Sequence, residues 1–80
     1  MLEVRWFTGL AGIQDAYKVR YSVFVEEQNV PLELEQDEHD ANACHLVIFH
    51  NNCPIATGRI VKPDRRYFLG RIAVDRKSVV

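Results

Sequence analysis

The sequence predicts an α+β fold in which a strand and a helix lead through an acidic connection into a three-strand antiparallel meander. Three observations carry that prediction. Apolar residues recur at helical spacing from Leu10 to about Val25. Three apolar runs after Ala43 are separated by two turn signals, Asn51-Asn52 and Pro63-Asp64-Arg65-Arg66. Seven of the eleven acids crowd between Glu26 and Asp40, where neither period holds. With 80 residues the chain is one small domain, residues 1–80.

The elements follow in order. Leu2 to Phe7 alternates and is rich in aromatics, as a short strand does. Thr8-Gly9 breaks it, and Thr8 is placed to cap the helix that follows. Within that helix Ile13, Tyr17 and Phe24 share one stripe, and Arg20 lies on the same stripe. A cation there must be paired or must face a cleft. Pro31 ends the regular pattern, and Glu33 to Asp40 is a loop or a short helix. Ala43 to His50 is apolar on both faces, which marks a central strand. Asn51-Asn52 suits a two-residue hairpin because Asn tolerates the left-handed conformation. Ile55 to Val61 returns, and Tyr67 to Val74 forms the last strand.

Composition sets the outer bounds. The chain is 48% apolar and 26% charged, an ordinary globular balance, with a net charge of -1. Seven of the ten bases lie between Arg59 and Lys77, which gives an acidic middle and a basic C-terminal half. Those charges either form solvated faces or, on the basic side, attract a polyanionic ligand such as a nucleotide cofactor. The charged opening Met1-Leu2-Glu3-Val4-Arg5 is unlike a signal peptide, and no run reaches membrane-spanning length. The expectation is a cytoplasmic protein with Cys44 and Cys53 as free thiols. Nucleic acid and membrane are not expected partners, since the bases are not interleaved with a stacking platform.

Cys44, His45, His50 and Cys53 have ligand-like spacing, but a tight hairpin argues against a metal. It pairs His50 with Cys53 and Cys44 with Arg59, leaving the two thiols roughly 20 Å apart along the strands. No metal is expected. The acidic run lacks the glycine and closing glutamate of a calcium loop. It is either a solvated charge run or, with Glu26 or Glu27, a cleft for a cationic substrate. His39 and His45 read first as structural, although His45 opens the central strand directly after the acids.

The strings Arg20-Tyr21-Ser22-Val23-Phe24-Val25-Glu26-Glu27-Gln28-Asn29-Val30-Pro31, Glu35-Gln36-Asp37-Glu38-His39-Asp40 and His45-Leu46-Val47 come in a telling order. Pro54-Ile55-Ala56-Thr57-Gly58-Arg59-Ile60 and Leu69-Gly70-Arg71-Ile72-Ala73-Val74 complete it. Together they resemble the N-terminal half of a GNAT-superfamily N-acyltransferase. The resemblance implies transfer of an acetyl (acyl) group from acetyl-CoA to a primary amine of a small molecule or peptide. It also implies that Ile72, Ala73 and Val74 match the strand whose unpaired main chain binds the pantetheine arm. Glu27 and His45 are the catalytic candidates for taking a proton from the amine, and Arg20, Asp37 and Asp40 the substrate-binding set. Glu27 reads equally as a structural partner of Arg20.

After Ala73-Val74-Asp75-Arg76-Lys77 the resembling chains continue into an Arg/Gln-x-x-Gly-x-Gly/Ala loop that binds pyrophosphate at a helix N-terminus. This sequence reads Ser78-Val79-Val80 instead. The expectation is a GNAT domain without its pyrophosphate loop and C-terminal half, through a frameshift, a split gene or an artificial boundary, and inactive as it stands. Its last strand would then keep a bare apolar edge and favour a homodimer. Two alternatives stay open. Arg20, Phe24, Asp37, Asp40 and Arg59 also resemble the ordered set of acyl-homoserine-lactone synthases, and a non-catalytic interaction module is the other.

Overall fold

The computed structural model describes residues 1–32, 36, 38–62 and 65–75. A four-stranded antiparallel sheet runs in the order β1-β2-β3-β4, with β1 Leu2–Thr8, β2 Cys44–His50, β3 Cys53–Val61 and β4 Phe68–Val74. The predicted α+β arrangement is the observed one, and β1 joins the meander by pairing with β2 from Leu2↔His50 to Thr8↔Cys44. β2 lies inside the sheet, as its two-sided apolar sequence predicts, with His45, Val47 and Phe49 buried on one side and Leu46 and Ile48 partly buried on the other.

One helix crosses a single face of the sheet. Helix α1, Ile13–Arg20, starts three residues later than the periodicity suggests. Gly9 and Gly12 explain the delay. Both sit at left-handed φ, 78° and 81°, so the chain turns twice before the helix can begin. Gly12 is the N-cap, and Thr8 remains in β1 instead of capping. Gly9 also lies against the neighbouring turn: a Cβ there would meet the Ala41 carbonyl oxygen at 3.1 Å.

Beyond Arg20 the helix widens into π-helical turns over Tyr21–Glu27. The closing bond, from the Gln28 amide to the Val23 carbonyl at 3.1 Å, spans five residues instead of four. The helical stretch therefore buries Ile13, Ala16, Val19, Arg20 and Val23, while Tyr17 and Phe24 pack at the rim. The acidic connection closes with a 3-10 turn, Glu38–Asn42, whose Asp40 is buried instead of solvated. Residues 33–35, 37 and 63–64 of the expected acidic run and second turn lie outside the described residues.

The hairpin at Asn51-Asn52 forms with both residues at positive φ. His50 pairs with Cys53 as expected, but Cys44 pairs with Ile60 and not with Arg59. A bulge between Ile48 and Phe49 shifts the register by one. Pro54, opposite Phe49, has no amide hydrogen to offer the ladder at that point. A second bulge lies in β4: Thr57 pairs with Ala73 and Arg59 with Gly70, so Arg71 and Ile72 together face Gly58. Arg71 takes a left-handed φ of 50° to allow it. Packing on the α1 side gathers into two clusters, Ile13, Ala16, Val47 and Phe49 near β1, and Val19, Val23 and Ala73 near β4.

Candidate functional site

Between these clusters lies a charged centre. Arg20 is the last residue of α1, Asp40 comes from the 3-10 turn and Arg59 from β3; Arg20 and Asp40 are each only 1% exposed. The Arg20 guanidinium grips the carboxylate with both arms, Nη1 to Oδ1 at 2.9 Å and Nη2 to Oδ2 at 3.2 Å. Arg59 Nη1 donates to the same Oδ1 at 3.0 Å, and the Tyr17 hydroxyl donates to Oδ2 at 3.0 Å. Burial alone would lift the Asp40 carboxyl. The hydrogen bonds and charge of Arg20, with the bonds from Arg59 and Tyr17, outweigh it and hold the group below its ordinary value.

His45 lies beside this centre, opposite Arg59 in the β2–β3 ladder. It is 0% exposed, stacked on Phe7 with ring centroids 5.0 Å apart. Its Nε2 lies 3.0 Å from the Asp40 backbone carbonyl, an acceptor, so Nε2 carries the proton and donates. Nδ1 is the buried lone-pair side of the ring and has no hydrogen-bond partner among the described residues. His45 thus ties the 3-10 turn to β2 from beneath. Glu27 closes the π-helical turns and is half-buried. Asp37 lies outside the described residues.

The structure therefore brings Arg20, Asp40 and His45 together. Two further residues join them that periodicity alone does not mark. Tyr17 reads as one more apolar position on the helix stripe, although its hydroxyl reaches Asp40. Arg59 has a legible signal: it is the one cation in Ile55 to Val61, a strand whose residues Ile55 to Arg59 are all buried. A buried cation demands an acid nearby. Among the described residues no group of three or more His, Cys, Asp or Glu could hold a metal ion. Cys44 and Cys53 are both free thiols.

Two surfaces adjoin the centre. An open groove of about 480 Å³ is lined by Gln14, Tyr17, Lys18, Tyr21, Leu32 and Gln36, so Tyr17 stands between that groove and Asp40. The other is β4 itself. Among the described residues no strand pairs with its outer edge. Along it Ala73 is buried toward α1, while Ile72 is 60% exposed and Val74 half exposed.

Comparison with known proteins gives this geometry a context. The acetyltransferase (GNAT) domain family matches residues 19–77. The uncharacterized Bacillus subtilis protein YyaT is 36% identical over 92% of this chain and 62% of its own length. The uncharacterized N-acetyltransferase YjcF of the same organism is 42% identical over 78% of this chain and 44% of its own. The chain thus spans about three fifths or less of the curated relatives it matches. Among solved structures, an acyl-CoA N-acyltransferase from Pseudomonas aeruginosa superposes with a TM-score of 0.81. That match covers 98% of this chain and 59% of the other at 23% identity, a likeness of fold. No helix among the described residues is long and apolar enough to cross a membrane.

Proposed function

The chain belongs to the GNAT acetyltransferase family, and from that premise we propose that it is built to move an acetyl (acyl) group from acetyl-CoA to a primary amine of a small molecule or peptide. The observation that carries the reading is a family match that takes in β4, a strand whose outer edge is open among the described residues and which bulges at Arg71. The coenzyme supplies an activated acyl thioester. In this reading the main chain of Ile72, Ala73 and Val74 holds its pantetheine arm as a further strand would be held. The bulge supports this, because it interrupts the ladder where an amide must turn toward a ligand. An amide so aimed stabilises the thioester oxygen as its charge grows.

Glu27, half-buried at the end of the helical stretch, is the proposed acceptor of the amine's proton, since only the neutral amine is nucleophilic. His45 contributes through position: it fixes the backbone of Asp40. Arg20 and Asp40, with Arg59 and Tyr17, hold the acidic connection against the sheet. Asp37 is kept as a proposed substrate-binding residue, its charge suited to a cationic acceptor. The setting proposed is the cytoplasm, and neither nucleic acid nor a membrane takes part. In the absence of coenzyme, the bare β4 edge is where a second copy would pair.

The 80 residues contain no Arg/Gln-x-x-Gly-x-Gly/Ala loop, the element that grips pyrophosphate in GNAT chains. These residues alone are therefore proposed to be inactive. Calorimetric titration with acetyl-CoA tests the reading, on the 80-residue chain and on one fused to the part of YyaT outside the aligned stretch. Binding by the fused chain only is the expected result. A folded fused chain that binds no acetyl-CoA would sink the proposal.

A further inference from the structure

The end of the sheet where β3 passes into β4 carries a cluster of cations. From Lys62 to Arg66 the sequence has three bases and one acid, Asp64. Lys62, Arg65 and Arg66 are exposed, and among the described residues no carboxylate pairs with any of them. The Lys62 ammonium instead lies 5.0 Å from the centroid of the Tyr67 ring, across the turn. Arg65 has a left-handed φ of 58°, a conformation that suits Gly or Asn and that a long side chain adopts less readily. A turn built for shape alone has no use for an arginine at that position.

The cluster adjoins a cleft. His39 and Asn42 of the 3-10 turn line it together with Val61 and Lys62 at the end of β3, around a space of about 260 Å³. Its walls come from two elements well apart in the chain, and three of the four residues bring polar groups. Neither Glu38 nor Asp40, the acids of that turn, lines the cleft; Asp40 is engaged by Arg20 and Arg59. Lys62 thus stands between a polar wall and an aromatic ring, where its ammonium can donate to an anion. The space is smaller than the roughly 300–1,000 Å³ of sites for whole drug-sized ligands, so it takes one end of a molecule.

Position decides which reactant such an anion belongs to. With the pantetheine arm held along Ile72, Ala73 and Val74, the coenzyme's phosphates lie past Val74. Lys62, Arg65 and Arg66 lie past Phe68, at the opposite end of β4, six residue steps or roughly 20 Å away. They are on the wrong side of the thioester to meet those phosphates. The molecule left to meet them is the acceptor, whose nitrogen must reach the thioester at the Arg71 bulge. Three residue steps separate Arg71 from Phe68, so the acceptor's nitrogen and anion are about 10 Å apart.

We propose that this end of the sheet receives an anionic group of the acceptor, a phosphate or carboxylate carried about 10 Å from the reactive amine. Lys62, Arg65 and Arg66 are then the residues that set acceptor specificity. The inference rests on the acyl-transfer reading for the identity of the ligand. Its experiment contains no coenzyme, so its failure is distinct from a failure to bind acetyl-CoA. The 80-residue chain is titrated at low salt with aminohexyl phosphate and with aminohexanol, and backbone amide shifts are followed by NMR. The phosphate ester is expected to bind about tenfold more tightly, as charge-assisted contacts allow, and to move the amides of Lys62, Arg65 and Arg71. Inorganic phosphate should move only the first two, and aminoheptanoate, of similar length, tells a carboxylate preference from a phosphate one. The preference should shrink as salt is raised. Lys62→Gln combined with Arg65→Asn should erase most of it. Asn suits the left-handed φ, so Arg65→Asn alone should weaken the preference without lowering the denaturant midpoint, which separates lost binding from lost folding. Equal binding of the two amines, or a preference untouched by the substitutions, overturns the proposal. So does an aminohexyl phosphate response that leaves Arg71 unmoved, since the anion site would then not serve the acceptor.

Discussion

On the α1 side of the sheet, charge is buried and paired; on the other side, apolar residues lie exposed on the outer strands. Asp40 is held by Arg20, Arg59 and Tyr17 beneath a helix, whereas Trp6, Leu69 and Ile72 are each more than half exposed. The covered face carries most of the packing of the described residues, its buried groups gathered in two clusters and the ion cluster between them. The bare face contributes little to the isolated chain and is free to bind. Removing a group should therefore cost much on the first face and almost nothing on the second.

The largest effect belongs to the ion cluster. Asp40→Asn keeps the shape but leaves two guanidiniums in the interior without a carboxylate, and breaking such a cluster costs about 3–5 kcal/mol. For a domain this small that is much of the available stability, which is about 5–15 kcal/mol in ordinary proteins. The expected outcome in a denaturant titration is loss of the cooperative transition, or a midpoint far below that of the parent chain. A midpoint unchanged by Asp40→Asn would break the comparison at its strongest point.

Acid should act through the same residue. The folded carboxyl of Asp40 titrates below its unfolded value, so its contribution is complete above the unfolded value, roughly pH 4, and disappears as pH falls through the lower folded value. Denaturant midpoints should fall steeply below about pH 4. A flat profile down to pH 2 would show that the cluster does not hold the fold. The smallest effects come from a matched pair. Ile13→Ala, in the core under α1, should cost about 2–4 kcal/mol, while Leu69→Ser on the bare face should stay within about 0.5 kcal/mol and raise solubility. Equal costs for the two would erase the distinction between the faces.

Much of this was legible in one dimension. The strands and the Asn51-Asn52 hairpin follow from alternation and turn chemistry, and the central place of β2 from its two-sided apolarity. Arg20 on an apolar stripe announces a buried pair, and Asp40 is its partner. Both departures inside the sheet are bulges. The one between Ile48 and Phe49 moves Cys44 from Arg59 to Ile60, and nothing in the alternation of β2 signals it, because a bulge preserves composition while shifting register. The π-helical turns after Arg20 escape for a similar reason: a 3.6-residue period is assumed in reading the stripe, and Tyr21–Glu27 does not keep it. Burial of His45 is likewise a property of what packs around it, Phe7 on one side and the Asp40 carbonyl on another.

By itself the sequence determined the order of elements, the family and the need for an acid to meet Arg20. The order follows from local periodicity, the family from the resemblance of the ordered strings between Arg20 and Val74, and the acid from the cost of burying a lone charge. Only the tertiary structure decided which acid that was, that Arg59 and Tyr17 complete the cluster, and that the outer strands leave apolar residues exposed on one sheet face. Such facts depend on register and on helix placement, where a shift of one residue turns every side chain of a strand to the opposite face.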